Sequence, residues 1–121
     1  MNTWHRHLPK GLEASEVDLL AGETLPKIWA HLWRQYPKRD VIYDAKQGWV
    51  KSETLLTQSE VVANRLAYAG VGPGDRVLLS ASTSVELVTA HVASLRLGAV
   101  VIPTNGAYRS EEVAHVVSDA R

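Results

Sequence analysis

Val77-Leu78-Leu79, then Val85-Glu86-Leu87-Val88-Thr89-Ala90-His91-Val92-Ala93-Ser94-Leu95-Arg96-Leu97-Gly98, then Ala99-Val100-Val101-Ile102: the reading of this stretch decides the fold. Its first segment is a continuous apolar run, as expected of a strand covered on both faces. Thr83 followed by Glu86 has the spacing of a capping box, in which each side chain satisfies a free backbone N–H at a helix start. Glu86, Thr89, Ala93 and Arg96 then recur at helical spacing and define one narrow, mostly polar stripe. Val85, Leu87, Val88, Val92, Leu95 and Leu97 make the other faces apolar, which predicts a helix buried on most sides. Gly98 closes that helix, and residues 99–102 read as a second buried strand. Strand, helix and strand in so short a span predict a right-handed βαβ crossover with parallel strands.

Upstream, Thr57 and Glu60 have capping-box spacing, and Val62, Leu66 and Ala69 supply the buried stripe of a helix that Gly70 ends. Residues 41–44 and 49–51, joined by Lys46-Gln47-Gly48, predict a β-hairpin. Thr24 is the expected N-cap of a further helix. Leu25, Ile28, Trp29, Leu32, Trp33 and Tyr36 would form its apolar stripe, with Lys27, His31, Arg34 and Gln35 opposite and Pro37 as its stop. Residues 1–22 lack a clear period and read as an extended lead-in, with a single helical turn over residues 17–20. Downstream, Ser110 is the expected cap of a helix carrying Val113, Val116 and Val117 on one side. That pattern reads as the start of another βα repeat. The expected class is therefore α/β: a partial parallel sheet with a βαβ crossover and packed helices. Residues 23–121 would then be a truncated α/β unit that stops short of a finished sheet.

With 121 residues and 13.3 kDa the chain has the size of one domain. Thirteen Lys and Arg balance thirteen Asp and Glu, which argues against nucleic acid or an anionic membrane as a partner held by net charge. The absence of Cys excludes disulfides, thiol catalysis and Cys-ligated zinc. Glu13, Glu16 and Asp18 interrupt any signal core, and Glu86, His91 and Arg96 interrupt the most apolar stretch, so neither a signal peptide nor a membrane span is expected. A cytoplasmic protein is the default expectation.

Gly70-Val71-Gly72-Pro73-Gly74-Asp75 invites a phosphate-loop reading, but these glycines follow a helix and precede a strand. A dinucleotide fingerprint needs the opposite order, so a helix C-cap and a Pro-Gly turn are expected. His5, His7 and His115 read as surface residues, and His91 as a core histidine satisfied by a nearby backbone group. Trp29 and Trp33 are accounted for by burial, and Lys38-Arg39 by a solvated turn. No nucleophile–base constellation, catalytic residue or metal-ligand set follows from spacing. Residues 104–109 follow the carboxyl end of a parallel strand, where ligands collect in open α/β sheets, and Arg109 is the side chain there suited to an anion.

The order Ala63-Asn64-Arg65-Leu66-Ala67, Gly70-Val71-Gly72-Pro73-Gly74-Asp75-Arg76-Val77, Val85-Glu86-Leu87 and Leu95-Arg96-Leu97-Gly98-Ala99-Val100-Val101-Ile102-Pro103-Thr104-Asn105 resembles the amino-terminal region of AMP-forming acyl-CoA synthetases. The wider adenylate-forming superfamily, with peptide-synthetase adenylation domains and firefly-type luciferases, shares it. The pattern departs at Leu55, Leu56 and Ser59, where members usually show a Thr-Tyr pair and a Leu.

The resemblance implies a ligase of fatty-acid metabolism that joins a carboxylic acid to ATP, releases pyrophosphate, and passes the acyl group to coenzyme A with Mg²⁺ as cofactor. It also implies that the phosphate loop, the acidic nucleotide-binding residues and the late catalytic Lys lie beyond this stretch. The piece alone would then be inactive scaffold that binds none of these cofactors tightly, with Arg109 as its possible coenzyme A contact. Two other readings stand beside this one. The first is a non-catalytic flavodoxin-like binding module, although Ser80, Ala81 and Ser82 offer no acidic residue at the strand end for a receiver-type phosphorylation. The second is an adenylation domain that loads a carrier-protein thiol. Truncation would leave apolar surface open and favour self-association.

Overall fold

The computed structural model describes Lys10, Gly11, Glu13 and residues 24–120. Apart from those three residues, the expected lead-in lies outside the described residues, including its helical turn, His5 and His7. The elements in chain order are α1 (Leu25–Gln35), β1 (Asp40–Asp44), β2 (Gly48–Lys51), α2 (Ser52–Tyr68), β3 (Arg76–Leu79), α3 (Val85–Arg96), β4 (Val100–Pro103) and α4 (Ser110–Asp119).

The deciding stretch folds as its pattern predicts in outline. Strands β3 and β4 pair in parallel, from Arg76 opposite Val100 to Leu79 opposite Pro103, with α3 between them in the chain. Gly98 ends α3 in a left-handed conformation (φ 74°), the Gly98 N–H donates to Leu95 O, and the Ala99 N–H reaches back to Ser94 O. This 5→2 and 6→1 pair is a Schellman motif, and Gly70 makes the same motif at the end of α2. A Cβ on Gly98 would also lie 3.4 Å from the Pro73 Cα and Cβ atoms, so the Pro-Gly turn packs directly on this cap. The Gly74 N–H donates to Gly98 O (2.9 Å) and the Val100 N–H to Asp75 O (2.7 Å). The glycine-rich segment is therefore a structural clamp between a helix end and the sheet.

Three helix starts differ from the predicted caps. Helix α2 begins at Ser52 and not at Thr57, because its first free donors meet backbone carbonyls: the Ser52 N–H donates to Arg39 O and the Glu53 N–H to Pro37 O. With those donors satisfied, no side-chain cap is required. At α3 the cap is Ser84 rather than Thr83; its Oγ accepts from the Leu87 N–H at 3.2 Å. At α4, Arg109 occupies the N-cap position, where its own N–H donates to Glu112 Oε2 at 2.7 Å, and Ser110 is the first helical residue.

Burial also differs from the predicted stripes. On α2 the buried residues are Ser52, Leu55, Ser59 and Ala63, while Ala69 is exposed. On α3 the narrow stripe holds some of the most enclosed positions, Thr89 and Ala93, with Ser94 beside them, whereas Leu87, Val88, Leu95 and Leu97 are only half-buried. Small side chains let the two helices approach closely, and Arg96 at the end of the stripe spans the gap, donating to Ser59 Oγ (3.2 Å) and Glu60 Oε1 (3.0 Å). The hairpin β1–β2 is antiparallel, with Tyr43 edge-on to Trp49 on its open face. Its inner face gives Ile42 and Val50 to the core formed with Leu55, Val85 and Trp33. Residues 77–79 are half-buried and Val100 is exposed, so the two-sided cover expected of the strands is incomplete among the described residues.

Candidate functional site

The loops that leave the carboxyl ends of β3 and β4 lie side by side. The Thr104 N–H donates to Leu79 O (2.8 Å), which ties the end of one strand to the start of the other loop. Asn105 Oδ1 accepts from the Ala107 N–H (2.9 Å) and Asn105 O from the Tyr108 N–H (3.1 Å), so the chain turns tightly toward α4. Across from this turn stands Ser80, whose Oγ would lie 3.9 Å from a Cβ on Gly106.

The first loop continues as Ala81-Ser82-Thr83-Ser84 and meets the turn of the hairpin. Together they line a cleft of about 460 Å³ in which Asp44, Lys46, Ser82, Thr83 and Glu86 present polar groups. Asp44 organises it. Its Oδ1 accepts from the Lys46 and Gln47 N–H groups (2.8 and 3.0 Å), and its Oδ2 from the Val85 N–H at the start of α3 (3.4 Å). The Lys46 N–H holds this carboxyl below its ordinary value of 3.8 against the opposing effect of desolvation. The Gln47 and Val85 N–H groups and the Lys46 charge act in the same direction as the Lys46 N–H. Gln47 Nε2 donates to Glu86 Oε1 (3.2 Å), a second link between hairpin and helix.

Arg109 stands at the far end of the second loop, exposed, and its guanidinium makes no hydrogen bond or ion pair among the described residues. It is available to an anion arriving at this edge of the sheet. His91 is half-buried on α3, and the backbone partner expected for it is absent among the described residues. His115 is exposed as expected, with Nε2 3.4 Å from Asp119 Oδ2 one turn further on. Trp29 and Trp33 stack with centroids 6.1 Å apart. Trp33 packs on the core, but the stripe they belong to lines an open groove of about 490 Å³ with Leu32 and Tyr36 exposed, so burial accounts for it only in part. Among the described residues no three His, Cys, Asp or Glu side chains gather as a metal site. No helix among them is long and apolar enough to cross a membrane. Hydroxyls, amides and the Arg109 guanidinium at the strand ends can hold a ligand.

The sequence singles out the strand-end loops and Arg109 but not Asp44. An Asp just ahead of a turn was the visible signal. Its second task, at a helix start 41 positions away, had none.

A model of the AMP-binding enzyme family matches residues 29–121. The chain is 31% identical over 113 residues to Syringomycin synthase SyrB1 of Pseudomonas syringae pv. syringae, covering 92% of this chain and 18% of that protein. It is 26% identical over 109 residues to the Crotonobetaine/carnitine--CoA ligase of Salmonella typhi, covering 87% of this chain and 21% of that one. Among solved structures, the NpsA N-terminal subdomain of Klebsiella oxytoca superposes with a TM-score of 0.73 at 26% identity, covering 81% of this chain and 26% of that one. The chain thus spans 18% and 21% of the length of these two curated relatives.

Proposed function

The chain belongs to the AMP-binding enzyme family, and from that premise we propose that it serves as the amino-terminal scaffold of a longer adenylate-forming acid–thiol ligase. The match over residues 29–121 is the observation that carries this reading. In the proposed reaction a carboxylate oxygen attacks the α-phosphorus of ATP and pyrophosphate leaves. A thiol then attacks the acyl carbon, forming the thioester and releasing AMP. Coenzyme A is the acceptor we favour, supported by the likeness to a CoA ligase. A carrier-protein thiol is the other outcome of the test.

The described residues fit this chemistry unevenly. Arg109 is a cation whose side chain has no partner among the described residues at the strand-end edge, suited to a phosphate of coenzyme A. The described residues gather no carboxylate set for Mg²⁺, which when bound would neutralise charge on the phosphates of the nucleotide. The role proposed for this stretch is therefore positional. The clamp of residues 70–75 on Gly98 fixes β3 against β4, and the paired strands present residues 80–84 and 104–109 to the ligand. The 121 residues alone form no adenylate.

The test is carboxylate-dependent exchange of labelled pyrophosphate into ATP by the full-length ligase, with the 121-residue chain as comparison. Exchange by the longer protein alone is the expected result, and exchange by the short chain would overturn the scaffold reading. With the full-length enzyme, Arg109→Ala should raise KM for coenzyme A by about tenfold and leave exchange intact, the loss of roughly one charge-assisted contact. Acyl transfer to a carrier protein but never to coenzyme A would replace the favoured acceptor with the other.

A further inference from the structure

A second polar groove lies away from the strand ends, where α1 passes the end of α3. It has a volume of about 450 Å³, and among the described residues its lining carries no acid: Lys27, His31 and Arg34 come from α1 and Arg96 from α3. Lys27, His31 and Arg34 stand four and three residues apart and so share one face of the helix, which contains no acidic residue at all. In a chain whose thirteen basic and thirteen acidic residues balance overall, this is a local excess of positive charge.

Among the described residues one acid pairs with the cluster, Glu60 from α2, and it is shared. Arg34 and Arg96 both donate to the same oxygen, Glu60 Oε1, at 3.4 and 3.0 Å. One carboxylate offsets one of the two guanidinium charges, and the Lys27 and His31 side chains have no hydrogen bond or ion pair among the described residues. Arg96 is also held in place before any ligand arrives. Its side chain is 19% exposed and is pinned by Ser59 Oγ and Glu60, so little conformational entropy remains to be lost on binding. A planar guanidinium held this way, with Arg34 beside it, matches the oxygens of a phosphate. The volume lies in the range of small-molecule sites.

We propose that this groove binds a small phosphate-bearing molecule, with Arg34, Arg96 and Lys27 as its charged contacts. The site is separate from the strand-end loops and does not rest on the ligase reading.

The experiment is titration of the chain with inorganic phosphate and with pyrophosphate at constant ionic strength, followed by amide chemical shifts. Shifts are expected along α1 and at the end of α3. Combined Lys27→Gln and Arg34→Gln changes, both on exposed side chains, should weaken binding about tenfold. Arg65→Gln, which removes an exposed cation on α2 outside this groove, should leave it unchanged. Arg96→Lys keeps the charge and loses the planar donors; it should weaken binding while circular dichroism stays that of the unaltered chain. Equal loss in Arg65→Gln and in the double variant would reduce the effect to general charge and overturn the site. So would phosphate binding no tighter than chloride.

Discussion

The α2–α3 interface and the outward face of α1 invert what side-chain polarity alone suggests. The interface is built from Ser59, Ala63, Thr89, Ala93 and Ser94, and these are among the most enclosed residues described. The face of α1 carries Leu25, Leu32 and Tyr36, and all three are exposed. Helix α4 is more open than α1, which buries Ala30: it has no buried residue, and Val117 lies open. Close approach of two helices requires small side chains, whatever their polarity, because bulk and not hydropathy sets the distance between axes. A large apolar stripe has the opposite meaning. It marks where an element expects a neighbour, and around α1 and α4 that neighbour is absent among the described residues.

The largest expected effect tests this division. Leu55 is 1% exposed at the centre of the core, so Leu55→Ala should cost roughly 2–5 kcal/mol in chemical denaturation. Leu32→Ser on the open stripe should change stability by less than about 0.5 kcal/mol. Its effect belongs to association: at high concentration the unaltered chain should show a mass above that of a monomer in light scattering, and Leu32→Ser should lower it. A monodisperse monomer for the unaltered chain, or equal destabilisation by the two changes, would dissolve the contrast between the regions.

A smaller effect, of opposite sign, is expected inside the interface. Thr89 Oγ1 is buried and has no hydrogen-bond partner among the described residues. An unsatisfied buried hydroxyl is a cost, and Val has the same branched shape without the polar atom. Thr89→Val should therefore raise stability by about 1 kcal/mol. A loss of stability would mean that the hydroxyl is satisfied in solution, and the interface would then be polar by need rather than by size.

The sequence made some of this legible and hid the rest for physical reasons. The βαβ unit was readable because its signals are local: two short apolar runs, a helical period between them and a glycine at the helix end. The family resemblance rested on the same residues. The start of α2 was not readable, since the groups that satisfy its first donors are backbone carbonyls of Pro37 and Arg39, and carbonyls leave no mark in a sequence. Which face of α3 is buried was also hidden. Period fixes which residues share a face, but the partner decides which face is covered, and the partner here is the row Ser52, Leu55, Ser59 and Ala63. Of the candidate site, the strand-end loops follow from the parallel topology, whereas the cleft depends on a hairpin turn docking against a helix far along the chain.

That docking gives the smallest and most specific expectation. Asp44 joins the open hairpin, with Tyr43 and Trp49 exposed on it, to the enclosed start of α3. Its carboxyl is held below its ordinary value of 3.8, chiefly by the Lys46 N–H. A carboxyl whose value is lower in the folded than in the unfolded chain favours folding above the unfolded value. That contribution is lost as pH falls through the lower folded value. The hairpin contact should accordingly be intact at neutral pH and loosen only below about pH 3.8, visible as a change in the environment of Trp49 ahead of the loss of helix. Asp44→Asn keeps an acceptor oxygen but carries no charge, so this acid-induced step should disappear while the neutral-pH spectrum stays nearly unchanged. A step that persists in Asp44→Asn would assign it to another carboxylate and leave the hairpin held to α3 by the Gln47–Glu86 bond and by the packing of Ile42 and Val50 with Val85.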